Sequence, residues 1–339
     1  MNALLVTASP EIRDAVLRLS AAAGVEPDVC ASPGAALAAW SGAVVVLVGT
    51  DVADELAAVA PARRGAVHVV GPAPGESAFR AAVTLGAESV IDLSGGSGWL
   101  GELLADVGER AGPGRVIGVV GGSGGAGATT LACALGQWHA ARGPTLLLDT
   151  DPLGPGLDRL LGLEEVDGAR WESLTDTAGR LGAQALRDSV PRRGQLGVVT
   201  WSGLRRRLDL PTVRRILTAG RRGHDLVVLD LARHGGADLV ELADRCDELL
   251  VVSRASVPGL AATARLVAEL GGGRQGRAGL VLRPGGVGDA DAERATGLPL
   301  AAAVGDQRGL SEALDRGSGP LGSRGPLVRA VRDLLPEVS

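Results

Sequence analysis

The chain has 339 residues, room for two domains of ordinary size, and 45% of them are hydrophobic, so a large core can be built. With five Trp, one Phe and no Tyr, that core has to come from Ala, Val and Leu. A net charge of −5 with no basic run longer than Arg205-Arg206-Arg207 argues against direct nucleic-acid binding. Cys30, Cys133 and Cys246 lie too far apart for a disulfide framework or a zinc site. All 34 basic residues are arginine. The N-terminus lacks a basic signal-peptide region, and no apolar run reaches the roughly 20 residues of a membrane helix, so a soluble, cytoplasmic protein is expected.

Residues 1–110 alternate short apolar runs with helical patterns. "ALLVT" (3–7), "EPDVCA" (26–31), "AVVVLVG" (43–49), "GAVHVVG" (65–71) and "ESVIDL" (88–93) read as strands. The helical segments follow at 10–24, with a proline at its start, and near 33–40, 51–60, 75–85 and 97–110. Five βα units of this length predict a small doubly wound parallel sheet. "AGPG" (111–114) marks a boundary, and residues 111–339 form a second α/β series. Its strands are expected at 115–122, 144–150, 196–201, 225–231, 248–254 and 278–284, several of them apolar throughout, as strands buried on both faces are. Segments 271–277 and 319–326 read as loops.

The chemistry concentrates at "GVVGGSGGAGATTLA" (118–132), where small residues join an apolar strand to an apolar helix. Gly122, Ser123, Gly124, Gly125, Ala126, Gly127, Ala128 and Thr129 match the G-x-x-x-x-G-K-[ST] spacing with Ala128 in place of the lysine. Small side chains let successive backbone N–H groups turn toward phosphate oxygens, and the helix terminus adds its dipole. The Thr129 hydroxyl suits Mg²⁺ and the Thr130 hydroxyl a further phosphate oxygen. Two strands that end in acids, "TLLLDTDPLG" (Asp149, Asp151) and "HDLVVLDLA" (Asp230), place carboxylates where Mg²⁺ or its water shell is held.

Residues 114–335 resemble the MinD/ParA family of P-loop ATPases, whose deviant Walker A motif has the form K-G-G-x-G-K-[ST]-[ST]. Here "SGGAGATT" lacks both lysines, with Ser123 at the signature position and Ala128 at the Walker position. "LLLDTDP" resembles the motif whose later aspartate orients the attacking water, which matches Asp151; "VVLDLA" resembles Walker B, with Asp230 as metal residue beside Thr129. The "GGxGAT" form and the N-terminal half resemble the CpaE/TadZ branch, especially the actinobacterial septum-site-determining, CpaE-like proteins. The resemblance implies ATP and Mg²⁺ as ligands, a homodimer, partners from cell division or pilus secretion, and no direct nucleic acid. Arg283 and Pro284 stand where the family often has an adenine-binding asparagine, which opens the question of base choice.

Without the lysine, hydrolysis is expected to be slow or absent, by about 10²–10³ in rate for one lost charge. Three readings stay open: a nucleotide-binding spatial regulator, an interaction scaffold without nucleotide, and an ATPase rescued by a partner or an arginine, for which Arg233 is the candidate by position. The N-terminal half is receiver-like, but Thr7 and Ala8 replace the acidic pair, Gly49 stands at the acceptor position and no lysine exists. It is expected to be a pseudo-receiver for docking, localisation or dimerisation, with Asp51 capping the next helix. Finally, "PLVRAVRDLLPEV" (326–338) carries Leu327, Val328, Val331, Leu334 and Leu335 on one face beside Arg329 and Arg332, the pattern of a packing helix or at most a weak membrane anchor.

Overall fold

The computed structural model describes residues 3–23, 25–95, 97–108, 114–175, 181–203, 209–271 and 276–336. Residues 111–113 of the expected boundary, the arginine run at 205–207 and residues 272–275 of the expected loop lie outside them. The chain divides into two compact units, Met1–Gly112 with Gly182–Gln184, and Pro113–Leu181 with Ala185–Ser339.

The first unit runs β1 (Leu4–Val6), α1 (Pro10–Ala22), β2 (Asp28–Cys30), α2 (Pro33–Trp40), β3 (Val46–Gly49), α3 (Ala53–Val59), β4 (Val67–Gly71), α4 (Glu76–Leu85), β5 (Ser89–Asp92), α5 (Ser97–Gly108). Its five strands are all parallel in the order β2-β1-β3-β4-β5. The central strands β1, β3 and β4 are buried along their length, because helices cover both faces, whereas the edge strand β2 is mostly exposed. One apolar cluster packs α2, α3 and α4 on the sheet around Trp40 and Leu56; the other packs α1 and α5 around Ile12, Val16 and Leu104.

From residue 114 the chain runs β6 (Arg115–Gly121), α6 (Ala128–Ala140), β7 (Thr145–Asp149), α7 (Leu157–Leu161), α8 (Trp171–Thr175), α9 (Ala183–Ser189), β8 (Arg192–Arg193), β9 (Leu196–Val199), α10 (Leu210–Gly223) and β10 (Leu226–Leu231). It continues through α11 (Ala237–Asp244), β11 (Glu248–Arg254), α12 (Val257–Leu270), β12 (Ala278–Arg283), α13 (Asp289–Thr296), β13 (Leu300–Ala303), α14 (Leu310–Asp315) and α15 (Pro326–Leu334). The eight strands are ordered β13-β12-β11-β6-β10-β7-β9-β8, all parallel except the short β8, which returns along β9. β6, which leads into the phosphate-loop motif, lies between β10 and β11, so the residues after it sit at the carboxyl-terminal edge of the sheet, where open α/β sheets bind ligands.

Helix α15 settles the C-terminal stripe. Leu327, Val331, Leu334 and Leu335 are buried in the same cluster as Leu131 and Leu135 of α6, so the apolar face is spent on packing. Among the described residues no helix is long and apolar enough to cross a membrane.

Candidate functional site

Gly122 to Gly127 form the turn between β6 and α6, and Ala128, Thr129 and Thr130 make the first turn of α6. The turn is anchored where the Gly122 N–H donates to the Val252 carbonyl (2.8 Å) and the Ala126 N–H to that of Ser123 (3.3 Å). A Cβ on Gly122 would stand 2.1 Å from the Thr263 hydroxyl of α12, so only glycine lets the loop close on that helix. Gly127 starts α6 at φ +97°, where an L side chain is strained. Among the described residues, the amides of Gly124, Gly125, Gly127, Ala128, Thr129 and Thr130 donate to no protein acceptor. A run of uncommitted N–H groups at a helix start attracts anions.

Beside this loop the register of the sheet sets Asp149 on β7 opposite Asp230 on β10. Both are buried, 2% and 5% exposed. Burial pushes the Asp149 carboxyl up to about 7, with repulsion from Asp230 adding to it and bonds from the Thr200 hydroxyl (2.8 Å) and the Asp151 N–H (3.1 Å) opposing it. Asp230 is likewise pushed to about 7 by burial, against a hydrogen bond from Thr129, with Asp151 adding repulsion. Two buried carboxylates side by side cannot both ionise at no cost, so the pair holds about one proton near neutrality. Asp151, half-buried just beyond β7, accepts the Leu153 N–H at 3.0 Å. Cys133, one turn beyond Thr129, is fully buried, and burial together with Asp230 and Asp149 raises its thiol.

The structure thus brings Thr129, Asp230 and Asp149 together under the loop, with Asp151 at its rim. Two contributors, Thr200 and Trp171, have no signal in the sequence, and a third, Arg283, is singled out there only for base choice. Thr200 holds Asp149; Trp171, its ring tilted 38° against that of Trp201 at 6.0 Å, donates its indole N–H to the Asp149 carbonyl (2.6 Å); and Arg283 lies against the loop. Its Nη1 is 3.1 Å from where a Cβ on Gly127 would stand, and its Nη2 pairs with Asp306 at 2.7 Å. Arg233, the arginine singled out by position, sits in the turn after β10, and no described contact ties it to the loop.

In the first unit the receiver-like position holds no acceptor. A Cβ on Gly49 would fall 2.2 Å from an Asp51 oxygen and 2.7 Å from the Thr7 hydroxyl. Asp51 does not cap α3, whose start at Val52 has no side-chain cap. Its carboxylate instead crosses to the β1–α1 turn and accepts from the Thr7 hydroxyl (2.8 Å) and the N–H groups of Ala8 (2.7 Å) and Ser9 (2.9 Å).

Comparison with known proteins bears on both units. Residues 6–115 match the Rv3660c-like, CheY-like N-terminal domain. Protein Rv3660c of Mycobacterium tuberculosis H37Rv and its counterpart MT3760 in strain CDC 1551 are each 35% identical over 337 residues, covering 96% of this chain and 95% of theirs. The chain belongs to the Rv3660c-like family. The C-terminal part of this family member is similar to a ParA family ATPase of Chlorobium tepidum (TM-score 0.58, 18% identity, covering 66% of this chain and 99% of that one). It is also similar to the MinC:MinD cell division complex of Aquifex aeolicus (0.53, 19%, 66% and 97%) and to the McdA(D38A)-ATP complex of Cyanothece (0.50, 17%, 68% and 99%). The protein therefore joins a CheY-like N-terminal domain to a parallel-sheet, P-loop, ParA/MinD-like fold.

Proposed function

We propose that this protein is a nucleotide-binding spatial regulator, holding ATP with Mg²⁺ at residues 122–130 and hydrolysing it slowly or not at all. The observation that carries the reading is the run of uncommitted loop amides leading into α6, together with the buried acids Asp149 and Asp230 that the sheet register sets side by side. Backbone N–H groups and the start of α6 would cradle the phosphates. Among the described residues no three acids, histidines or cysteines form a metal cage. Mg²⁺ would instead rely on the Thr129 hydroxyl and, through water, on Asp230, the small ligand set that suits this ion. When bound, it would neutralise phosphate charge. Asp151 at the rim would orient water, and Asp149, fixed by Thr200 and Trp171, would keep Asp230 in place.

Two fold neighbours support the reading: one is an ATP complex, and another is a complex of MinD with MinC. By that analogy the protein would work as a homodimer that recruits a cell-division or Flp/Tad pilus-secretion partner, in the manner of the CpaE/TadZ branch and its septum-site-determining members. The CheY-like domain, with glycine at the acceptor position, would be the docking module. The resemblance supports septum placement and pilus assembly alike as the role.

Equilibrium dialysis of the full chain with labelled ATP, with and without Mg²⁺, tests the binding. Retention that Mg²⁺ strengthens is expected, and no retention at millimolar nucleotide leaves only an interaction scaffold. Phosphate release compared between wild type and Asp151→Ala tests the chemistry: equal rates remove the enzymatic reading, whereas a rate abolished by the substitution restores an ATPase.

A further inference from the structure

We propose that Arg283 is the positive charge of the phosphate loop, taking the phosphate group nearest Gly127 in place of the lysine that position 128 lacks. This rests on the nucleotide-binding reading above. The chain has no lysine, so a guanidinium is the natural side-chain cation for the loop, and among the described residues Arg283 is placed against Gly127. It is the last residue of β12, the second strand away from β6. Its Nη1 and Cδ lie 3.1 and 3.6 Å from the Cβ position of Gly127, so the side chain crosses the residue that opens α6. It shares one small cavity with Gly127, Thr130, Gly305, Gln307 and Leu310.

The guanidinium is only partly engaged by the protein. Nη2 is engaged by Asp306, while Nε is buried without an acceptor. Asp306 is 69% exposed, so water compensates its release readily. Nη1, on the Cδ side of the guanidinium, is the donor that faces Gly127 and the helix-terminal amides, a position that suits a phosphate oxygen. The neighbouring Gln307 amide donates to the Pro320 carbonyl (2.7 Å), and its buried Oε1 has no donor. A base edge could use that acceptor. The guanidinium lies against the loop backbone, however, where anions are favoured, and so we assign it to the phosphate.

The test is titration of the full chain and its variants with ATP, GTP and CTP in the presence of Mg²⁺. Arg283→Ala should weaken all three by a common factor of about 10–100, the range of a charge-assisted hydrogen bond. Arg283→Lys should recover part of the loss, as a point charge without the fork. Asp306→Asn, which removes the carboxylate competing for the guanidinium, should tighten ATP severalfold, and it carries the test if Arg283→Ala does not fold. Wild-type affinity in Arg283→Ala, a change confined to one base, or weaker binding in Asp306→Asn each overturns the assignment while nucleotide binding by the wild type stands. Failure of the wild type to bind any of the three removes the nucleotide reading itself, and this assignment with it.

Discussion

Asp51 in the CheY-like unit and Asp230 in the P-loop unit occupy comparable places, each near the carboxyl end of a strand in a parallel sheet and beside a strand–helix turn. Their surroundings differ. Asp51 is saturated by a hydroxyl and two amides, all within 2.9 Å, and the space an acceptor side chain would need at Gly49 is filled by that same carboxylate. Asp230 is buried beside a second carboxylate with one hydroxyl to oppose the burial, and the amides beside it have no partners. A carboxylate whose bonds are complete holds a turn in place. One that is buried and under-bonded waits for a cation.

The sharpest way to break this contrast is to restore the missing charge. Ala128 sits half-buried in the first turn of α6. If the loop lacks only that ammonium, Ala128→Lys should raise phosphate release by about 10²–10³-fold, the value of one preorganised charge in phosphoryl transfer. An unchanged rate in Arg283→Ala carrying Ala128→Lys, measured in steady state with Mg²⁺-ATP, would mean that Asp151 is not set to orient water and that the site is built for binding alone.

The next effect is on stability and concerns the acid pair. The carboxyls of Asp149 and Asp230 sit near 7 when folded, against about 3.9 in an unfolded chain. Between these values the folded state holds more protons. The contribution is therefore largest below about pH 4, falls as pH rises and is gone above about 7, a change on the order of a few kcal/mol. Asp149→Asn should flatten the fall, so the variant gains on the wild type at pH 8 relative to pH 5 in denaturant titrations followed by tryptophan fluorescence, with Trp171 as the reporter beside Asp149. Parallel curves for the two proteins would refute the shared proton.

Much of this site is legible in the sequence, and the illegible part has a consistent cause. A small-residue turn between apolar runs, and acids ending two others, are local patterns, so residues 122–130, Asp149, Asp151 and Asp230 stand out. That Asp149 and Asp230 are neighbours depends on strand order, with β10 between β6 and β7, and sequence-adjacent residues carry no trace of it. Thr200 and Trp171 reach Asp149 from other elements, 51 and 22 residues away. Arg283 is one of 34 arginines; the resemblance marks its position for base choice, but its approach to the loop depends on where β12 ends. Strand β13, Leu300–Ala303, reads LAAA and lacks the β-branched residues that mark strands; its pairing with β12 makes it one.

A smaller effect separates the metal from the nucleotide. Thr129→Val removes the hydroxyl proposed for Mg²⁺ and keeps the side-chain shape. It should cost about 10–100-fold in ATP affinity when Mg²⁺ is present and little when it is chelated, by isothermal titration with and without EDTA. A loss independent of Mg²⁺ would instead make Thr129 part of the phosphate cradle.

The smallest effect on nucleotide comes from the other half of the comparison. Asp51→Ala strips the β1–α1 turn of three hydrogen bonds and should destabilise the CheY-like unit by about 1–3 kcal/mol, because Ala8 and Ser9 regain water only partly. ATP affinity should stay within about twofold of wild type. Wild-type protein incubated with acetyl phosphate should gain no phosphoryl group by intact-mass measurement, since the Thr7, Ala8 and Ser9 donors hold both Asp51 oxygens in the turn. Phosphorylation at Asp51 would reverse the assignment, for the carboxylate that looks satisfied would then be the reactive one.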